Sequence, residues 1–147
     1  MIEIIPTALP HVNDIYQIEK ESFPDPWSAA AISREITNKH SVCLTAWDSA
    51  AQTVAGHITM RHIINEGHIS NIAVAKKYQR QGVGSLLLTA LIAEAVNLEM
   101  IGVTLEVRVG NIAAISLYQK HGFAEEGRRK NYYSLPTEDA LIMWLYF

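Results

Sequence analysis

Two stretches of this sequence hold residues whose types and spacing can do chemistry. The first is Lys76-Lys77-Tyr78-Gln79-Arg80-Gln81-Gly82-Val83-Gly84-Ser85. It follows a β-branched run ending at Val74. It precedes a segment in which Val83, Leu86, Leu87, Ala90 and Leu91 recur at i, i+3, i+4, i+7 and i+8, the spacing of a helix with one apolar stripe. A glycine loop between a strand and a helix directs free backbone N–H groups and the positive end of a helix dipole at an anion. Gly82 and Gly84 permit close approach of the main chain, and Lys76, Lys77 and Arg80 add positive charge. A pyrophosphate is the natural occupant. Two familiar phosphate loops are excluded. No Gly-Lys-Ser/Thr occurs at the Walker spacing, and Leu87 stands where a dinucleotide fingerprint needs its third glycine. From pattern alone, the segment also reads as a turn carrying solvated charge.

The second stretch runs from Val103 to Tyr118. Alternation places Val103, Leu105 and Val107 on one face of a strand and Thr104, Glu106 and Arg108 on the other. With the apolar face on the core, Glu106 looks into whatever cleft lies beside the strand; alone, it also reads as a surface glutamate paired with Arg108. Asn111 and Tyr118 are seven residues apart, hence on one helical face and about 10 Å apart along the axis. Asn111 equally reads as a helix N-cap, and Tyr118 as a core aromatic.

The elements that must carry these residues follow from periodicity. Ile2–Ile5 is a short strand. Pro10–Glu21 is a helix, ended by the two prolines of Phe23-Pro-Asp-Pro-Trp27. Ser28 sits where an N-cap belongs, ahead of a second helix bearing Ile32 and Ile36. Val42–Trp47, Thr53–Ile63 and His68–Val74 read as strands, with turns at Asp48–Gln52 and Asn65–Gly67. After the helix beginning near Gly82 come a strand Val103–Val107 and a helix from Asn111 to Gly122. Strands at Phe123–Arg128 and Ala140–Phe147 close the chain, joined by a longer loop containing Pro136. The order β-α-α-β-β-β-α-β-α-β-β implies an α/β fold with helices on the faces of a mixed sheet.

Composition bounds the rest. At 147 residues, 49% apolar and 18% charged, the chain suits one domain spanning 1–147 with a real core. The apolar tracts fall short of the ~20 residues a membrane helix needs, and the N-terminus lacks the basic flank of a secretory signal. A net charge of −3 argues against a general nucleic-acid binder. The lone Cys43 forms no intrachain disulfide, which fits a reducing cytoplasm, and its apolar neighbours suit a core residue. The six histidines show no ligand spacing, so no metal is expected.

Gln79-Arg-Gln-Gly-Val-Gly84 after Asn71-Ile-Ala-Val74 resembles the Q/R-x-x-G-x-G/A acyl-CoA loop of the GCN5-related N-acetyltransferases, and the order of elements is similar across essentially the whole chain. Phe23-Pro-Asp-Pro-Trp-Ser28, Leu105-Glu-Val-Arg108, Asn111–Tyr118, Gly122-Phe123, and Arg129-Lys-Asn-Tyr-Tyr133 with Glu138-Asp-Ala140 narrow the likeness to members that acetylate the N-terminal alanine of a ribosomal small-subunit protein. The resemblance implies a mostly antiparallel mixed sheet in which two parallel strands splay apart to bind acetyl-CoA. It implies main-chain bonds from Ile72, Ala73 and Val74 to the acetyl and pantetheine groups. The pyrophosphate would be held by amides of Arg80, Gln81, Gly82, Val83, Gly84 and Ser85, and the cofactor amide by Asn111. Direct transfer to an amine needs a base and an acid, roles that fall to Glu106 and Tyr118. Trp27, Tyr132 and Tyr133 would line the acceptor groove, although the two tyrosines equally read as packing a hairpin. The implied partner is the N-terminal segment of an acceptor protein, with no direct nucleic acid and no membrane. A transferase for lysine or a small amine, and a non-catalytic acyl-CoA-binding module, are the competing readings.

Overall fold

The computed structural model describes all residues from Met1 to Phe147. Seven strands form one sheet in the order β1-β2-β3-β4-β5-β7-β6. They are β1 (Ile2–Pro6), β2 (Ser41–Asp48), β3 (Thr53–Ile63), β4 (Glu66–Val74), β5 (Gly102–Arg108), β6 (Ala124–Tyr133) and β7 (Glu138–Tyr146). The helices are α1 (Val12–Ser22), α2 (Ala29–Thr37), α3 (Val83–Asn97) and α4 (Ile112–Lys120). The element order is the one the sequence implies. Every strand pair is antiparallel except β4 with β5.

Helices cover both faces. On β3, the neighbouring residues Gly56 and His57 project to opposite sides. Leu87 of α3 approaches Gly56, whereas His57 bonds Glu19 of α1. α3 therefore lies on one face and α1 on the other. Leu87, Leu88 and Leu91 of α3 are fully buried, together with Ile58, Met60, Val103 and Met143 from the sheet. Apolar burial of this kind contributes about 25 cal/mol per Å² and holds the helix to the sheet.

Caps and breaks fall where local chemistry dictates. The Ser28 hydroxyl accepts the Ala31 amide at 3.1 Å and starts α2. Asn111 does the same for Ala114 at 3.2 Å and starts α4. Gly82 begins α3 at φ +80°, a left-handed conformation that disfavours side chains.

Two boundaries and one burial differ from the sequence expectation. β4 already begins at Glu66, so the β3–β4 turn is confined to Ile64 and Asn65. β6 runs to Tyr133 and β7 starts at Glu138, so the expected long loop is the short Ser134–Thr137 turn. Tyr132 and Tyr133 are thus strand residues. β6 is an edge strand, exposed along most of its length, so no alternation of apolar residues announces its second half. Thr104 is the third difference: although on the polar face of β5, it is buried and donates to the Met143 carbonyl at 2.8 Å.

Candidate active site

The sheet opens between its only parallel strands. β4 pairs with β5 through Glu66↔Gly102, Gly67↔Val103 and His68↔Thr104 alone. Beyond that point each strand stays bound to its other neighbour, β4 to β3 as far as Val74 and β5 to β7 as far as Arg108. The cause is visible in the register. Thr59 pairs with Asn71 and Met60 with Ile69, leaving Ser70 as an extra residue in β4, and such a bulge bends its strand.

Alternation along β4 decides which main-chain groups face the gap. The Ala75 amide donates to the Ala55 carbonyl at 2.8 Å, so Ala73 likewise exchanges its bonds with His57 on β3. Ile72 and Val74 therefore turn their amides and carbonyls to the splayed edge. Of the three residues expected to donate there, Ala73 is the one whose amide is already committed to β3.

The glycine loop closes one end of the gap. Amides of Val83, Gly84 and Ser85 precede the first intrahelical donor, Leu86, which bonds the Gly82 carbonyl at 3.0 Å. They are free donors at the positive end of a 15-residue helix. A Cβ on Gly82 would meet nothing within 4 Å, so the loop is open above that residue. A Cβ on Gly84 would lie 3.3 Å from Leu117, so α3 and α4 pack closely there. Val83 itself is buried; Arg80, at φ +62°, and Gln81 are exposed. The Gln79 and Gln81 side chains fold back on the carbonyls of Val74 and Lys77, at 3.3 and 3.1 Å, and brace the loop. These groups fit a diphosphate.

Glu106 and the tyrosines gather at the β5 side of the gap. Glu106 is half-buried and lies 3.4 Å from Arg129 of β6. Arg108 does not pair with it. Arg108 instead bonds Glu138 at 3.1 Å and the carbonyls of Ser134 and Pro136, and covers the Tyr133 ring at 4.5 Å. Glu138 also accepts the Gly110 amide at 2.7 Å, so this cluster ties the β6–β7 turn to the loop before α4. Tyr118 is buried, edge-on to Phe123 with centroids 5.9 Å apart. Burial, then the nearby Tyr133 phenol, pushes the Tyr118 hydroxyl well above its usual range. Burial likewise pushes Tyr133 up to about 12, with Tyr132, Glu106 and Glu138 adding to the rise. Tyr133 thus lies within electrostatic reach of Glu106, and Tyr118 within reach of Tyr133. Asn111 is exposed at the start of α4, its carbonyl oxygen committed to the cap.

Trp27 stands apart from the tyrosines. It lines a groove of about 320 Å³ with Ala31, Arg34, Glu35, Arg61 and the bulged Ser70. Tyr132 and Tyr133 pack edge-on against each other at 5.0 Å.

The sequence reading missed two groups here. Glu19 of α1 is fully buried, bonds His57 at 2.9 Å, and accepts from Asn71 beside the bulge. Its signal was present: Val12, Ile15 and Glu19 fall at i, i+3 and i+7, which puts the carboxylate on the apolar stripe. Arg129, the partner of Glu106, carried no such signal, because strand pairing alone brings β6 to β5 across β7.

The profile of the Acetyltransferase (GNAT) family matches residues 12–123. The chain belongs to that family. It is therefore an acetyltransferase, with the seven-stranded mixed sheet of the fold. It is 37% identical over 135 residues to the [ribosomal protein bS18]-alanine N-acetyltransferase of Salmonella typhimurium, covering 88% of this chain and 87% of that one. The crystal structure of the ribosomal-protein-S18-alanine N-acetyltransferase from Escherichia coli superposes with a TM-score of 0.91 at 32% identity, covering 99% of this chain and 94% of that one. Arabidopsis thaliana NAA60, solved in complex with acetyl-CoA, has a TM-score of 0.92 at 17% identity, covering 100% and 99%, and shares the fold. No helix is long and apolar enough to cross a membrane.

Proposed function

We propose that this chain acetylates the N-terminal α-amine of a protein, with a ribosomal small-subunit protein beginning in alanine as acceptor and acetyl-CoA as donor. The observation that carries the reading is the gathering of Glu106, Tyr133 and Tyr118 beside a gap that also exposes the main chain of Ile72 and Val74. The names of the relatives cited above support the acceptor. When bound, acetyl-CoA supplies a thioester whose carbonyl carbon takes the amine while the sulfur departs.

Ile72 and Val74 offer main-chain groups to the donor's arm, and an amide aimed at the carbonyl oxygen stabilises the charge that grows there. Amides of Val83 to Ser85 hold the diphosphate, with Lys76, Lys77 and Arg80 nearby in the chain. Asn111 keeps an amide NH₂ that can donate to the pantetheine. Glu106 removes a proton from the incoming ammonium, directly or through water. An α-amine has an ordinary pKa of about 7.7–8, so the base has a modest task. Tyr118 stays protonated at neutral pH and gives its proton to the departing sulfur. Trp27 on one side, and Tyr132 and Tyr133 on the other, flank the acceptor's approach.

The test is acceptor competition. An alanine-initiated peptide of the ribosomal protein and the same peptide with its N-terminus blocked but lysines free are offered together with labelled acetyl-CoA. Mass spectrometry should find label on the free α-amine alone. Label confined to lysine would reject this reading in favour of a side-chain transferase.

A further inference from the structure

The first turn of α3 is joined to the end of α4 by a polar contact that the acetyl-transfer chemistry above does not use. Ser85 Oγ lies 2.8 Å from His121 Nε2. Both residues are half-buried. Ser85 is the third residue of α3, and helical Cβ atoms tilt toward the N-terminus, so its hydroxyl leans toward the free amides that receive the diphosphate. A serine hydroxyl has one hydrogen. When Nε2 is unprotonated it accepts that hydrogen, and Ser85 presents only lone pairs to an anion. When Nε2 carries a proton, in the neutral Nε2–H tautomer or in the imidazolium, it donates to Oγ, and the serine hydrogen turns outward to a phosphate oxygen; an anion there favours the imidazolium.

The surroundings favour the neutral ring in the absence of a ligand. Burial, and then the charge of Lys120, hold His121 below the ordinary histidine range. α3 brings no acidic residue in its first turn, and its positive end also opposes an imidazolium. The permanently charged Lys76, Lys77 and Arg80 precede that turn in the chain. A bound phosphate reverses this balance by placing an anion beside the pair.

We propose that His121 is a positioning residue for a phosphate of the cofactor: it takes up a proton on binding and, by donating to Ser85, turns the serine hydroxyl onto a phosphate oxygen. The proposal rests on the acetyl-CoA reading above. The phosphate is one of the diphosphate pair or the 3′-phosphate.

The experiment is calorimetric titration of the whole protein with CoA and with dephospho-CoA between pH 5.5 and 8.5, in buffers of different ionisation heat. Dephospho-CoA removes the 3′-phosphate, whose own second ionisation near pH 6 would otherwise contribute. Wild type should take up protons from the buffer and bind more tightly as pH falls, by about tenfold for each unit that binding raises the His121 pKa. His121→Gln should abolish that uptake and flatten the profile; Ser85→Ala should diminish it. Uptake that depends on His121 with both ligands assigns the diphosphate, and with CoA alone the 3′-phosphate. Uptake that His121→Gln leaves undiminished overturns the proposal. So does a uniform loss of affinity at every pH, which would mark a purely structural bond. Absence of binding by either ligand would instead reject the acetyl-CoA reading itself.

Discussion

Replacing Tyr118 by Phe removes one oxygen and little else. The ring remains packed edge-on to Phe123. Neither of the two causes that raise its pKa, burial and the Tyr133 phenol, is a hydrogen bond. Since every fully buried side-chain polar atom has a partner, this hydroxyl keeps some exposure to solvent. Loss of the oxygen breaks no buried bond, so stability should change by less than about 0.5 kcal/mol. The rate should respond differently. A positioned general acid contributes roughly 10²–10⁴, or about 2.7–5.5 kcal/mol of barrier. A thiol of pKa about 8.5 leaves tolerably as the thiolate, which puts the expected loss near the lower end, about 100-fold in kcat. Thiol release under saturating substrates measures kcat, calorimetry with CoA measures binding, and a thermal melt controls for folding. A variant with an unchanged melt and kcat within threefold of wild type would refute the assignment. A raised KM for acetyl-CoA with kcat intact would make the hydroxyl a binding group.

Glu106→Gln keeps the shape of the base but not its charge, and its partner Arg129 is more than half exposed, so stability should move by less than about 1 kcal/mol. Its kcat/KM at pH 7 should fall by about 100-fold or more and recover as pH rises through the acceptor's own ionisation near 8; an unchanged pH–rate profile would argue against a base at this position. Glu19→Ala strips the acceptor from buried His57 and from Asn71, at a cost of about 3–5 kcal/mol, so the melting temperature should drop by at least about 6 °C. A drop under 2 °C would show that the network carries little. Tyr118 and Tyr133 both have folded pKa values above the ordinary tyrosine value of about 10. The unfolded chain therefore releases their protons first, so this stabilisation is complete below pH 10 and is lost as pH rises toward 12. Urea midpoints that held constant from pH 8 to 11 would contradict the sign.

Local chemistry was enough for much of the scaffold. Two prolines between Phe23 and Trp27 break the first helix, Ser28 and Asn111 cap the next ones, and the stripe from Val83 to Leu91 buries against the sheet. These are nearest-neighbour effects, with their causes within a few residues in the chain. The β6–β7 boundary was not legible, because an exposed edge strand such as Arg128–Tyr133 forms by bonding to β7 rather than by burying a patterned face. The glycine loop was legible as an anion site because its donors are its own backbone. That Glu106 shares its surroundings with Tyr133 and pairs with Arg129 was not, since β5 must first assemble with the β6–β7 hairpin that follows α4.

The sequence by itself determined the order of elements, their capping and breaking residues, the helix that presents free amides, and which face of β5 carries the glutamate. Only the tertiary structure decided where the sheet opens. One extra residue at Ser70 bends β4 from β5, and hydrogen-bond alternation then turns Ile72 and Val74, but not Ala73, toward the gap. The same assembly buried Glu19 with His57 and Asn71, and set His121 against Ser85. The physical reason is range. Caps and amphipathic stripes are fixed by neighbours in the chain, whereas register, splay and charge pairing depend on strands and helices that meet only after the chain has folded.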